Sequence, residues 1–203
     1  MKKSIAIAVL IVVAAAVILI VNNTDLAKDP YTLVYGGEAR HFRGNLFEAN
    51  KTLVYPADEA IPQVLLNPEV YKIQIAYIPN ASENPYYLAA TFEITNKLGL
   101  VYRQSIDETP QMFKDTDGST CLLFYNTKKT MCFKSLPVNS TDELVPTSVE
   151  PIILMLGPSQ TNQTRIDVYS DLISLQGASF NETYRNYNDL DLAVDKMLLV
   201  MMS

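Results

Sequence analysis

The side chains that could perform nucleophilic catalysis are few. The sequence has one histidine, His41, and no serine in the G-x-S-x-G pattern of a nucleophile elbow. Arg40 and Arg43 flank His41, and neighbouring cations disfavour a positive charge on an imidazole. Ser159 follows Gly157-Pro158 but lacks the second glycine of that elbow. We therefore interpret His41 as an ordinary surface or core residue and assign no catalytic residue.

Metal-binding patterns are also incomplete. A single histidine excludes paired-histidine zinc sites. Asp115-Thr116-Asp117-Gly118 resembles the middle of a calcium loop, but the first and last ligand positions fall on Phe113 and Phe124. We interpret this segment as a polar turn, and we assign no metal and no cofactor. Three pairs of adjacent acids occur: Asp58/Glu59, Asp107/Glu108 and Asp142/Glu143. Because the side chains of adjacent residues point apart on helices and strands, none of these pairs is expected to act as a general acid and base.

The two cysteines have the spacing of a cross-strand disulfide. A hairpin centred on Asn126-Thr127 places Cys121 opposite Cys132. Directly opposed strand residues bring their Cβ atoms within disulfide distance. We predict a structural disulfide worth about 2–3 kcal/mol, with two buried thiols as the alternative. The C-x-x-C spacing of redox-active pairs is absent.

Glycosylation sequons are more frequent than chance predicts. The sequence holds six N-x-[ST] sequons, against roughly two expected from its composition. The excess indicates a protein made where N-glycosylation operates, and the short basic N-terminus favours an archaeal cell surface. The predicted glycosylation sites are Asn22, Asn50, Asn80, Asn139, Asn162 and Asn181.

An apolar run follows a short basic start. Ile5–Val21 contains 17 residues without a polar side chain, which as a helix spans about 26 Å. A cleaved signal needs small residues at the end of the run, but Leu19-Ile20-Val21 are large. We favour an uncleaved signal-anchor over a cleaved signal. Lys2 and Lys3 then place the N-terminus in the cytoplasm and the bulk of the chain outside.

The predicted domain organisation follows from this anchor. Residues 1–4 form a cytoplasmic tip, 5–21 the transmembrane segment, 22–30 a linker and 31–203 one extracytoplasmic domain. The formal net charge of the chain is −6, which argues against nucleic-acid binding. Its seven glycines form no phosphate-cradling pattern.

Patterning after the linker predicts an α/β fold, with α+β as the alternative. Alternating or continuous apolar runs predict a mixed sheet from residues 71–78, 100–103, 120–134, 151–156 and 165–176. Helical spacing predicts helices over 84–98 and 190–202. On the first helix, Leu88, Thr91 or Phe92, Thr95 and Leu98 share this spacing, and Gly99 suits its C-terminal end.

The segment 71–103 predicts a βαβ unit with parallel strands. It resembles the opening βαβ unit of periplasmic sugar-binding proteins in Ile75-Ala76-Tyr77-Ile78-Pro79, Glu83-Asn84-Pro85-Tyr86 and Lys97-Leu98-Gly99. The resemblance covers about 33 residues, and the chain is too short for the two lobes of such a protein. It implies α/β topology and no ligand or site residue.

These features favour a membrane-anchored, non-enzymatic surface protein acting as a binding or assembly module. The predicted partners are the membrane, through residues 5–21, and a protein or second copy, through the apolar C-terminal helix. Twelve tyrosines and no tryptophan leave an aromatic surface for a sugar or peptide as a further option. The alternatives are a membrane-tethered hydrolase with an unrecognised site and a pilin-like subunit.

Overall fold

The computed structural model describes residues 29–102, 110–124, 127–136, 144–181 and 187–203. The predicted tip, the anchor, nearly all of the linker, Asn22 and Asn139 lie outside these ranges. None of the helices in the described ranges is long and apolar enough to span a membrane. The elements are β1 Thr32–Tyr35, β2 Glu38–His41, α1 Leu46–Ala49, β3 Leu53–Tyr55, α2 Ala60–Leu65, β4 Lys72–Tyr77, α3 Asn84–Val101, β5 Gln111–Lys114, β6 Thr120–Phe124, β7 Lys129–Ser135, β8 Ile152–Leu156, β9 Arg165–Tyr169, β10 Leu172–Gln176 and α4 Asp189–Met202.

The fold is a mixed α/β arrangement around an eight-stranded sheet. The strand order is β3-β9-β10-β8-β4-β7-β6-β5. The four strands β10, β8, β4 and β7 are mutually parallel, and the strands on either side include antiparallel pairs. A separate two-stranded hairpin joins β1 to β2 through Gly36 and Gly37, which have φ of 62° and 83°. Glycine adopts this left-handed backbone without steric cost.

The main core lies between one face of the sheet and the helices. Alternate residues of the central strands, such as Ile75 and Ile153, pack with Ile94 of α3 and Leu198 of α4. Leu65 of α2 belongs to the same cluster. The opposite sheet face carries a smaller buried cluster: Ala76, Leu136, Ile152 and Leu154.

The predicted cysteine hairpin is confirmed. β6 pairs antiparallel with β7, Cys121 lies directly opposite Cys132, and the two are disulfide-bonded. Both cysteines are buried. The staple therefore joins two neighbouring strands inside the antiparallel half of the sheet.

Removing this disulfide is expected to lower the free energy of unfolding by about 2–3 kcal/mol, since the bond closes a short loop in the unfolded chain. The measurement is urea unfolding of the double variant Cys121→Ala/Cys132→Ala, followed by circular dichroism. Reduced wild-type protein is expected to have the same free energy of unfolding as the variant, and reductant is expected not to change the stability of the variant. Equal stability of oxidised wild type and variant contradicts this prediction.

The predicted βαβ unit is wrong in its second strand. Leu100 and Val101, expected to begin a strand, are the last residues of α3, and Gly99 lies inside the helix. The helix continues because Tyr102 is buried and its hydroxyl donates to the carbonyl of Leu65 at 2.9 Å. The next strand is β5, which is not among the predicted strands. It is the edge of the sheet, separated from β4 by β7 and β6.

The predicted C-terminal helix α4 is confirmed, and it packs against other elements of the same chain. An Asn188 capping box begins it, and its side chains are buried except those of Asp189, Leu199 and Val200. It packs on α1, α2 and α3 and on strands β9 and β10. Little of α4 is thus left for the partner contact that the sequence suggested there.

Candidate functional site

One polar network lies where the parallel strands end. Glu83 follows β4, Ser159 follows β8, and the buried Glu83 carboxylate accepts from the Ser159 amide and hydroxyl, both at 2.9 Å. The Tyr87 hydroxyl donates to the same carboxylate at 2.8 Å and accepts from the Gly157 amide at 2.8 Å. Burial and the hydrogen bond to Glu83 raise the pKa of Tyr87 above its ordinary value, so this hydroxyl stays a donor even in alkaline solution.

This network resembles a nucleophile–base pair in distance only. The exposed Ser159 hydroxyl meets a carboxylate at the sheet edge where α/β folds bind ligands. An acyl-transfer site also needs free N–H donors for the developing oxyanion. The amides of Gly157 and Ser159 already have acceptors within the network. We therefore assign it a structural role, holding the loop after β8 against the start of α3.

The same edge of the sheet carries three predicted glycosylation sites. Asn80 lies in the loop after β4, Asn162 after β8 and Asn181 after β10. Asn162 and Asn181 are exposed, and Asn80 is half-buried with its Oδ1 accepting from the Ser82 hydroxyl at 2.9 Å. Asn50, between α1 and β3, is also exposed. Occupancy of these sites stays a prediction.

A buried charge cluster joins α3, α4 and the segment before α1. Glu93 and Lys97 form an ion pair along α3, and the Lys97 ammonium lies 4.3 Å from the centre of the Phe42 ring. Asp195 of α4 is fully buried, and its Oδ2 accepts from the Gly44 amide at 2.5 Å. These contacts fix the loop after β2 onto the two long helices.

Asp195 is held in a setting that favours its neutral form. Burial raises the pKa of Asp195 well above 3.8, and the nearby charges of Glu93 and Asp191 raise it further. The amide of Gly44 and the charge of Lys97 act in the opposite direction without cancelling the effect. Arg43, which approaches the cluster from the loop after β2, pairs with Asp191 at 2.9 Å.

Asp195→Asn is expected to flatten the pH dependence of stability. Since the folded state binds the Asp195 proton more tightly than the unfolded state, the wild-type free energy of unfolding falls as pH rises from 3.8 through the raised folded pKa. The limiting slope is about 1.4 kcal/mol per pH unit. The measurement is urea unfolding at several pH values from 4 to 8. Parallel curves for variant and wild type contradict the assignment.

The described residues do not bring His41 and the Asp115–Gly118 segment, which were considered for catalysis and metal binding, into one site. His41 is exposed, and its Nδ1 lies 3.4 Å from the Thr32 hydroxyl and 3.7 Å from an Asp29 oxygen. Asp115–Gly118 forms the turn between β5 and β6, in which Asp115 pairs with Lys72 at 2.6 Å. The polar-turn interpretation of that segment is confirmed.

An apolar groove lies between α3 and the antiparallel half of the sheet. The groove has a volume of about 670 Å³. Leu88, Phe92 and Leu100 line it from α3, and Met112, Leu122 and Phe133 line it from β5, β6 and β7. Leu88, Phe92 and Met112 are each about 70% exposed, so three large apolar side chains face solvent on one concave surface.

Helix α3 lines this groove because it is apolar on two sides. Tyr87, Ala90, Ile94 and Leu98 are buried and face the core. Leu88, which follows Tyr87, and Phe92, four residues later, form a second apolar stripe that is exposed. Of the residues expected to share helical spacing, Leu98 is buried in the core, whereas Leu88 and Phe92 are exposed. The double stripe is visible in the sequence and is the signal that sequence reasoning missed.

Comparisons with protein-family models, with curated proteins and with solved structures find no match to this chain.

Proposed function

We propose that this protein is a membrane-anchored surface binding module and that the groove between α3 and β5–β7 takes a small ligand with a hydrocarbon chain. The groove carries this proposal. Its volume of about 670 Å³ is within the range of about 300–1,000 Å³ typical of small-molecule sites, and its walls are mainly apolar. Exposed apolar patches rimmed by polar residues mark binding surfaces on soluble domains.

The location of the protein at a cell surface is supported by three sequence features and one structural feature. These are the apolar segment 5–21, the basic start, the excess of sequons and the disulfide. Disulfides persist in oxidising compartments outside the cytosol. Of the sequon asparagines that the structure describes, Asn50, Asn80, Asn162 and Asn181, none lines the groove.

The alternatives have less support. The hydrolase alternative has Ser159 beside Glu83 as its best arrangement, and that arrangement uses its backbone donors internally. The pilin-like alternative lacks a Gly or Ala cleavage site with a downstream glutamate at the start of the apolar run.

Photolabelling tests the proposal directly. The full chain in phosphatidylcholine vesicles is irradiated with hexadecanol that carries a diazirine, and labelled residues are located by mass spectrometry. We expect label on α3 and on β5–β7, besides label on the apolar segment 5–21 that lies in the bilayer. Label confined to residues 5–21 contradicts the proposed function.

A further inference from the structure

We propose that the ligand of the groove is a long-chain carboxylate whose head group pairs with Arg40. This inference rests on the proposed function, because it names the chemistry of the ligand for the same groove. Arg40 belongs to β2 and reaches the groove from outside the eight-stranded sheet. Among the described residues that line the groove, it is the only charged one.

The Arg40 guanidinium has unused donors. Its Nη2 forms an ion pair with Glu38, a side chain that is itself half-exposed. Its Nε is buried and has no hydrogen-bond partner. Within the described residues, Glu38 is the only partner found for Arg40. Since a guanidinium offers five N–H donors, the N–H groups of Nη1 and Nη2 that Glu38 does not use are left for a ligand.

The charge balance selects the head group. A planar guanidinium binds a carboxylate through two parallel, charge-assisted hydrogen bonds, which a neutral head group cannot supply. A head group with two or more negative charges is disfavoured because Arg40 is already partly neutralised by Glu38 and the chain carries a net charge of −6. A single carboxylate fits one partly compensated cation.

The length of the apolar wall indicates which kind of ligand tail fits the groove. The stripe on α3 runs from Leu88 to Leu100, a span of about 18 Å at 1.5 Å per residue. Met112, Leu122 and Phe133 form the facing wall from three successive strands of the sheet. An elongated apolar trench of this kind fits a single extended hydrocarbon chain.

The test compares two probes that differ only in the head group. Hexadecanoic acid and hexadecanol, each with a diazirine in the chain, are used with the full chain in phosphatidylcholine vesicles. Arg40→Gln is expected to raise the acid concentration that gives half-maximal labelling about tenfold. This is the low end of the effect of losing a charge-assisted hydrogen bond. Labelling by the alcohol is expected to stay unchanged, which also shows that the variant is folded. Lys51→Gln, at an exposed lysine outside the groove, is the control and is expected to change neither.

A second variant approaches the same contact from its other side. Glu38→Gln removes the carboxylate that competes for Arg40, so labelling by the acid is expected to strengthen. If labelling by the acid is the same in wild type, Arg40→Gln and Glu38→Gln, the inference that the ligand is a carboxylate is overturned. Alcohol label in the groove would in that case still support the proposed function. Absence of both probes from the groove overturns the proposed function together with this inference.

Discussion

Replacing Lys97 with methionine is expected to lower the free energy of unfolding by about 3–5 kcal/mol. Lys97 is 5% exposed and pairs with Glu93, which is 8% exposed. Methionine keeps much of the aliphatic volume against Phe42 but removes the cation. The Glu93 carboxylate then stays buried without its counterion and close to Asp195. The measurement is urea unfolding followed by circular dichroism.

The double variant Glu93→Gln/Lys97→Met separates the charge effect from packing. It removes both members of the buried pair and is expected to recover most of the lost stability, because the cost arises from the isolated charge. Lys51→Met, at an exposed lysine, is the matched control and is expected to change stability by less than about 0.5 kcal/mol. A single variant as stable as wild type contradicts the importance of the pair.

Gly177→Ala is expected to cost about 3 kcal/mol, the upper end for an overpacked core position. Gly177 follows β10, and a methyl group there meets the Leu190 backbone nitrogen at 2.5 Å and its Cα at 2.8 Å. These atoms belong to the first turn of α4 and are not the end of a flexible side chain. The helix must therefore move away from the sheet to admit the methyl group.

Gly118→Ala is the comparison that isolates collision from backbone strain. Gly118 has φ of 85°, and an added methyl group there has no atom within 4 Å. Its expected cost is about 1 kcal/mol, from the left-handed backbone alone. Thermal unfolding of the two variants gives the ranking. A smaller loss for Gly177→Ala than for Gly118→Ala contradicts the close approach of α4 to β10.

Elements determined by local pattern could be predicted from the sequence. The cysteine hairpin was predicted in register because the two cysteines and the central turn are close in the chain. The antiparallel pair β9–β10, the buried strand β8 and α4 also followed from local periodicity and turn residues. Each of these depends on contacts over short sequence distances.

Features determined by distant contacts could not be predicted. α3 passes Gly99 because Tyr102 packs near Leu65, a residue 37 positions away. All four residues of strand β5 are exposed, so it carries no alternation of buried and exposed residues that would mark it as a strand. The order of the sheet, with β4 between β7 and β8, depends on pairings that local periodicity does not determine.

The candidate site was missed for a related reason. The sequence shows that Leu88 and Phe92 are apolar and on a helix, which is as typical of a core as of a groove. Their exposure follows only from the place of α3 beside the antiparallel strands, which leave a trench instead of closing over them. Arg40 joins the site from a separate hairpin, and no sequence spacing relates it to α3.

The measurement that tests the central claim most directly is hexadecanol photolabelling of Leu88→Ser beside Leu53→Ser. The two leucines are 72% and 75% exposed, so each substitution is expected to leave the fold intact. Leu88 lines the groove, whereas Leu53 lies on the opposite edge strand, β3.

If the groove binds the hydrocarbon chain, Leu88→Ser reduces label on α3 and β5–β7 relative to label on residues 5–21, and Leu53→Ser does not. Equal groove labelling in wild type and both variants, or an equal loss in both variants, would contradict the assignment of this groove as the binding site.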